Sequence, residues 1–402
     1  MRLLFVASRF PYPPLQGDRA RGYHFLRLLN QRHSVTLVAP VAGTLDAQSK
    51  EAVSKLCTRW VPVRVPRWRA IAHLMRFPLC TVPLQTLYFS PPALTRQVQA
   101  LLLQESPFDL VHVQLARLGP VCSGVGGVPK VLDFIDSLAL NMRRRGDQER
   151  GPKKWFFSME AQRMARYERE LTFAFHQQTV CSPLDREYIG AGENLHVIPN
   201  GVAIDDFPYT DEGREGNLIV LTGRMGYFPN SDAAVYFATE VLPLIRRQVP
   251  DARFDIVGAH PPRRVQQLAR LPGVLVTGYV PRIQEYLARA SVAVAPMRSG
   301  SGMQFKVIEA MAGGIPVVAT PYAIGGIEAV SGENLFIAET AEGLAEQTVR
   351  LLKDPTLRRR LARSARRLVE AKYTWERSVA MLDDVYRLAM LKGKNQTVKN
   401  QT

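Results

Sequence analysis

The chain alternates short runs of β-branched and aliphatic residues with longer stretches in which apolar positions recur every three or four residues. The short runs predict strands at 3–7, 34–39, 60–65, 110–113, 131–135, 179–181 and 195–198. The longer stretches predict helices at 18–31, 92–104 and 154–175, the first with Asp18 as N-cap and Phe25, Leu26 and Leu29 on one face. A polar, glycine-containing connector, Asp211-Glu212-Gly213-Arg214-Glu215-Gly216, then interrupts the pattern. The alternation restarts with strands at 218–222, 253–257, 274–276, 292–295 and 316–319. Helices at 231–247, 262–269, 283–290 and 305–312 lie between or beside them, followed by 341–352, 355–371 and 375–391.

Strand–helix alternation is the pattern of parallel sheets, and its restart predicts an α/β fold of two Rossmann-like, doubly wound domains. The expected boundaries are 1–210, 211–374, and a last helix, 375–402, that crosses back to the first domain and frays after about residue 392. Open parallel sheets bind ligands at the carboxyl ends of their strands, so facing lobes place the expected site in the cleft between them.

A length of 402 residues suits two cores, and no apolar stretch approaches the roughly 18–20 residues of a membrane-spanning helix. The opening Met1-Arg2-Leu3-Leu4-Phe5-Val6-Ala7-Ser8 reads as a buried strand rather than a leader. Cys57, Cys80, Cys122 and Cys181 show neither metal-ligand spacing nor a disulfide framework, which fits a reducing cytoplasm. The net charge of +16 asks for an anionic partner. Arg358 to Arg367 reads as a solvated helix face. Arg64, Arg67, Arg69 and Arg76 accompany Trp60 and Trp68, and Arg143-Arg144-Arg145 through Lys153-Lys154 precede Trp155, Phe156 and Phe157. These two clusters read equally as solvated faces or as a peripheral contact with an anionic membrane. No nucleic-acid-binding motif accompanies the charge.

The most informative segment runs from Val294 to Thr320: a strand, the loop Arg298-Ser299-Gly300-Ser301-Gly302-Met303-Gln304, a helix from Phe305, a Gly313-Gly314 stop and another strand. Glycines before a helix let backbone amides approach a ligand, and a helix N-terminus favours phosphate. Glu309 can hold two ribose hydroxyls. By residue pattern alone, ordinary packing and a solvated glutamate explain the segment as well.

Glu309-Ala310-Met311-Ala312-Gly313-Gly314-Ile315-Pro316-Val317-Val318-Ala319 resembles the donor-binding signature of the retaining glycosyltransferases of family 4 (glycosyl transferases group 1), which have the GT-B fold. Ile198-Pro199-Asn200-Gly201-Val202 with Asp205 and Phe207 resembles that family's lobe junction. Leu221-Thr222-Gly223-Arg224 resembles its phosphate-binding turn. Ile256-Val257-Gly258 and Val276-Thr277-Gly278-Tyr279-Val280 resemble its base-lining segments, and Tyr373-Thr374-Trp375-Glu376 resembles the signature before its last helix. Pro11 to Arg19, Tyr23 to Leu29, Tyr227 to Asp232 and Glu240 to Pro243 are similar to the exopolysaccharide/PEP-CTERM-associated sugar transferase subgroup.

The resemblance implies transfer from a nucleotide sugar, UDP- or GDP-linked, to a glycan or polyprenyl-linked acceptor in cell-surface polysaccharide biosynthesis. Arg224 and Lys306 would stabilise the departing diphosphate, with Arg298 as a further candidate, and Glu309 would hold the ribose. Gly17, Gly223, Gly278, Tyr279, Val280, Ser301, Gly302, Met303 and Gln304 would complete the donor site, with Asp18, Arg19, Gln114 and Asp136 on the acceptor side. No Asp-x-Asp motif is present, and neither metal nor cofactor is expected.

Three positions depart from the family pattern. Ser301 stands where many members carry a second glutamate, Pro229-Asn230 where a lysine is usual, and Gln114 where a second histidine often follows His112. Asp133 and Asp136 follow the next strand and either can face the cleft. An intrahelical Lys306–Glu309 pair is the structural alternative to phosphate contact. A hydrolysing nucleotide-sugar epimerase of the same fold and a degenerate transferase acting as a scaffold remain alternatives.

Overall fold

The apolar run that opens the chain becomes an interior strand of a parallel sheet. The computed structural model describes residues 1–399 except 15–16, 42, 44, 66–70, 72–73, 75–80, 105–106, 191, 211–212 and 301. β1 (Arg2–Val6) pairs with β2 (Ser34–Val41) on one side and β4 (Leu110–Gln114) on the other. With β3 (Arg59–Arg64), β5 (Lys130–Ile135), β6 (Gln177–Val180) and β7 (Leu195–Val197) the order is β3-β2-β1-β4-β5-β6-β7. Every residue of β4, β5 and β6 is buried, as a parallel sheet covered on both faces requires.

The second sheet comprises β8 (Glu215–Thr222), β9 (Arg253–Val257), β10 (Val274–Gly278), β11 (Ala290–Ala295), β12 (Val317–Ala319) and β13 (Phe336–Ile337). Its order, β10-β9-β8-β11-β12-β13, reverses direction between β8 and β11, the switch point at which such sheets take ligands. Both sheets are parallel throughout, and the fold is the expected pair of Rossmann-like units. The chain divides into Met1–Pro199 with Ser378–Thr402, and Asn200–Arg377. Where the chain enters and leaves the second unit, Val202 bridges Thr374. A Cβ at Gly201 would lie 2.4 Å from the Trp375 amide nitrogen, so only glycine passes there. Asp211 and Glu212 of the expected connector lie outside the described residues.

Several details differ from the sequence pattern. The helix expected over 231–247 is Phe228–Tyr236, then a π-helical segment Phe237–Val241, then Leu242–Arg246. Pro243 has no N–H to continue an α-helical ladder, and the wider turn absorbs the gap. Asp18 lies inside helix Gly17–Leu29 rather than capping it, because Arg9 and Arg117 take its carboxylate. The last helix runs Trp375–Lys399, beyond the point where fraying was expected. Short helices such as Leu138–Asp147 and Pro183–Ile189 escape the periodicity reading; Ser137 and Ser182 cap them. Cys57, Cys122 and Cys181 are buried thiols outside any disulfide, and no described helix is long and apolar enough to cross a membrane.

The first unit closes around a buried ion pair. Arg21 (Nε 2.8 Å, Nη2 3.1 Å) clasps Asp133, and its other nitrogen reaches the carbonyls of Ile198 and Pro199. Thr179 Oγ1 donates to the same carboxylate. Burial alone would raise the Asp133 pKa, but Arg21 holds it below the usual carboxylate range. Asp133 therefore ties helix Gly17–Leu29 to β5 and β6 and does not face a ligand, correcting that expectation. Breaking a buried pair from one side strands the other charge, so Asp133→Ala should lower unfolding free energy by about 3–5 kcal/mol in urea titrations. Arg21→Met/Asp133→Leu should lose less than either single change. Because the folded pKa is depressed, the wild-type contribution is full at neutral pH and is lost as pH falls below about 4.

Candidate functional site

Three neighbouring strands of the second unit end in glycines that no other residue could replace without strain. β8 is followed by Gly223 (φ +144°), β9 by Gly258 (φ +151°), and β10 ends in Gly278 (φ +72°). A Cβ on Gly258 would lie 1.9 Å from the Gly223 carbonyl oxygen, and one on Gly223 would lie 2.8 Å from Asn230 Nδ2. The carboxyl edge of β9 and β8 is therefore backbone without side chains. On the other side of β8, β11 leads through Gly300 and Gly302, both at positive φ, into helix Phe305–Ala312. The N-terminus of that helix presents the positive end of its dipole at the same sheet edge.

Lys306 connects these parts. Its side chain is buried (9% exposed), and Nζ donates to Asn230 Oδ1 at 2.8 Å and to Gln304 Oε1 at 3.2 Å, with Met297 Sδ at 3.6 Å. Asn230 Nδ2 in turn donates to the Arg224 carbonyl at 3.0 Å, so the helix after β11 is linked to the turn after β8. Burial pulls the Lys306 ammonium down to about 8, opposed by Glu309. Burial likewise pushes the half-buried Glu309 carboxyl up to about 7, against the pull of Lys306. Among the described residues no ion pair joins the two, and the Glu309 carboxylate accepts no hydrogen bond. Lys306 is turned toward Asn230, so the intrahelical pair is not formed.

The remaining expected donor residues fall around this link. The Arg224 side chain is exposed; Gly302 and Met303 are buried, and Gln304 is the N-cap residue of the helix. Tyr279 stands exposed beyond β10 with Val280 beside it. Arg298 is committed elsewhere: it grips Asp232 through two hydrogen bonds (3.0 and 2.8 Å) and lies over the Tyr236 ring. Ser301 lies outside the described residues.

In the first unit, Gly17, Asp18, Arg19 and Gln114 gather near the carboxyl ends of β1 and β4. Asp18 is held by Arg9 and Arg117. Gln114 is 2% exposed, and its Nε2 donates to the Asp18 carbonyl at 3.0 Å, a role in seating the helix. Arg19 and Asp136 are half-buried. The expected donor set omitted Asn230 and Gly258. Asn230 was named as a departure and within the Tyr227–Asp232 resemblance, and Gly258 within a segment resembling the base-lining region, but neither was given a role of its own.

Residues 216–354 match the sequence profile of the family described as Glycosyl transferases group 1. The matched stretch lies within the second unit. Its curated relatives include a phosphatidyl-myo-inositol mannosyltransferase of Propionibacterium freudenreichii, 29% identical over 134 residues, 32% of this chain and 33% of that protein. An N-acetyl-alpha-D-glucosaminyl L-malate synthase of Bacillus anthracis is 28% identical over 154 residues, 36% of this chain and 40% of that protein. The matched stretch thus spans about a third of these relatives' length. Among solved structures, sucrose-phosphate synthase of Thermosynechococcus elongatus superposes with a TM-score of 0.72 at 18% identity, covering 96% of this chain and 98% of that one. Anabaena HepE, solved with UDP and glucose, gives 0.68 at 16% identity over the same shares. These likenesses show the GT-B class of fold. The glycine turns, Lys306 and Glu309 all lie inside the matched stretch.

Two substitutions test the geometry. Gly258→Ala should cost about 2–3 kcal/mol or more in unfolding free energy, since both the contact and the backbone region forbid it. Lys306→Met should leave stability at pH 7 unchanged or raised by about 1 kcal/mol, because a buried charge is exchanged for a thioether of similar length. The Lys306 pKa is depressed in the folded state, so its burial penalty is full below pH 8 and fades as pH rises toward 10.5. The stability difference between variant and wild type should fade over the same range; a difference independent of pH would contradict this.

Proposed function

We propose that the chain is a glycosyltransferase that moves a sugar from a nucleoside-diphosphate sugar, UDP- or GDP-linked, to a glycan or polyprenyl-linked acceptor. The reading extends to a hexosyltransferase-type reaction in cell-surface polysaccharide biosynthesis, with retention at the anomeric carbon and no metal ion. The observation that carries it is the Lys306 ammonium, buried on neutral partners at the edge where Gly223 and Gly258 expose backbone. Anabaena HepE, a structural neighbour, has been solved with UDP-glucose, which supports a donor of this class. We further read the chain as cytoplasmic and peripheral at an anionic membrane face, where a polyprenyl-linked acceptor would lie.

Glycosyl transfer needs neutralisation of the charge that grows on the departing diphosphate. Lys306 and the first turn of helix Phe305–Ala312 would meet that charge, and the exposed Arg224 would close on it from the turn after β8. The glycine turns let phosphate oxygens approach backbone. Glu309, five residues past the N-cap Gln304 and so just over one helical turn in, would accept the ribose hydroxyls in its ionised form. Tyr279 and Val280 would meet the base. A serine at 301 can hydrogen-bond a sugar hydroxyl, and the dipoles of the loop would supply the remaining electrostatic stabilisation.

A thermal-shift series with UDP-, GDP-, ADP- and TDP-sugars identifies the donor, since ligand bound only to the folded state raises the melting temperature. With that donor, Lys306→Met, Arg224→Ala and Glu309→Ala should each lower kcat/KM by about 10²–10³. The free-enzyme pH profile should rise through about 7 as Glu309 ionises and fall above about 8 as Lys306 loses its proton. Absence of any nucleotide-dependent shift, or unchanged turnover in all three variants, would contradict the assignment. Release of a free 2-epimer from donor alone would instead identify an epimerase.

A further inference from the structure

The first unit carries a basic basin that neither its sheet nor the expected acceptor residues use. Helices Leu138–Asp147 and Pro152–Ala174 form a hairpin, and helix Pro183–Ile189 packs beside it. Between them lies a pocket of about 550 Å³ whose charged lining is Arg143, Arg166, Arg169 and Asp147, with Gln162 and Tyr188 between them. The three arginines make no ion pair among the described residues. Their neighbours are paired: Arg145 with Glu149 at 2.5 Å, and Arg163 with Glu160 at 3.7 Å. Three guanidinium groups are left facing a pocket with a single carboxylate against them.

The same face carries exposed aromatics at both ends. At about 100° per residue, Trp155, Gln162, Arg166, Arg169 and Phe173 fall within a narrow sector of helix Pro152–Ala174. Trp155 is 68% exposed and Phe173 is 91% exposed. Eighteen positions separate them, about 27 Å of helix. An exposed stripe with arginines at its centre and aromatics at its ends suits a helix lying flat in the headgroup layer. The rings then reach the acyl boundary while the guanidinium groups stay with phosphate.

We infer that this stripe and its basin are a docking surface for an anionic phospholipid bilayer, with Arg143, Arg166 and Arg169 seating a headgroup phosphate. The inference rests on the peripheral reading above and names its surface and chemistry. It does not depend on the donor site, which lies in the other unit.

The test is sedimentation of the full chain with phosphatidylcholine vesicles, with and without about one-third phosphatidylglycerol, at near-physiological salt. The wild type should partition to the anionic vesicles only. R143Q/R166Q/R169Q should reduce that partition roughly a hundredfold, and W155S/F173S at least tenfold. All five side chains point outward, so melting temperature and donor-induced thermal shift should stay at wild-type values in both variants. That separates failure here from failure of the donor reading. Equal binding to neutral vesicles, or wild-type partition by the triple arginine variant, would overturn the proposal. So would full competition by glycerol phosphate at the same phosphate concentration, which would make the ligand a free anion rather than a bilayer.

Discussion

Burying a lysine ammonium without a carboxylate in contact costs several kcal/mol, and the carboxyl edge of the second unit's sheet is arranged around one such group. Lys306 is held by an amide oxygen from Asn230, another from Gln304 and the sulfur of Met297. Neutral acceptors satisfy the proton donors but give the positive charge no ion pair, only the more distant pull of Glu309. That is the condition under which an incoming diphosphate gains most from the site. The same contact explains the glycine at position 223, since Asn230 occupies the space that a side chain there would need. It also fixes the helix after β11 against the turn after β8, at the point where the sheet order reverses.

The first unit is organised by a different solution to the same problem. Arg21 and Asp133 are both fully buried, but each charge has its opposite in direct contact. His112 and Tyr386 share a buried hydrogen bond of 2.9 Å that ties the last helix to β4, and burial keeps the imidazole neutral near pH 7. Charges that are paired in this way hold the fold together. Lys306 in one unit and Arg143, Arg166 and Arg169 in the other have no ion pair among the described residues, and our proposals assign these to ligands.

Much of the fold was legible because parallel strands buried on both faces are continuous apolar runs. The β9 span matched its predicted bounds, and β1, β4 and β11 lay within two residues of theirs. β13 was not legible, since two residues such as Phe336 and Ile337 carry no period. The π-helical segment at Phe237–Val241 was missed because apolar spacing continued straight through Pro243. At the site, Glu309 and the glycine loops stood out as local patterns. The destination of Lys306 did not, because its partner Asn230 lies 76 positions away and only the packing of two turns brings them together. Asp18 was misplaced as a cap for a related reason: Arg117, distant in sequence, takes its carboxylate. Gly258 stood in a segment resembling the base-lining region, but the need for glycine there shows only when the Gly223 carbonyl is seen against it.

The central claim is that Lys306 receives the diphosphate of a nucleotide sugar, and proton linkage reports that contact directly. With the Lys306 pKa near 8 in the free protein, a bound diphosphate should raise it, so binding near pH 8.5 takes up a proton. Calorimetric titration with UDP-glucose and with GDP-mannose, in two buffers of different ionisation enthalpy, measures that uptake. The account predicts a substantial fraction of a proton taken up by the wild type with whichever donor binds, and close to none by Lys306→Met. Binding without proton uptake, or equal uptake in the variant, would contradict it.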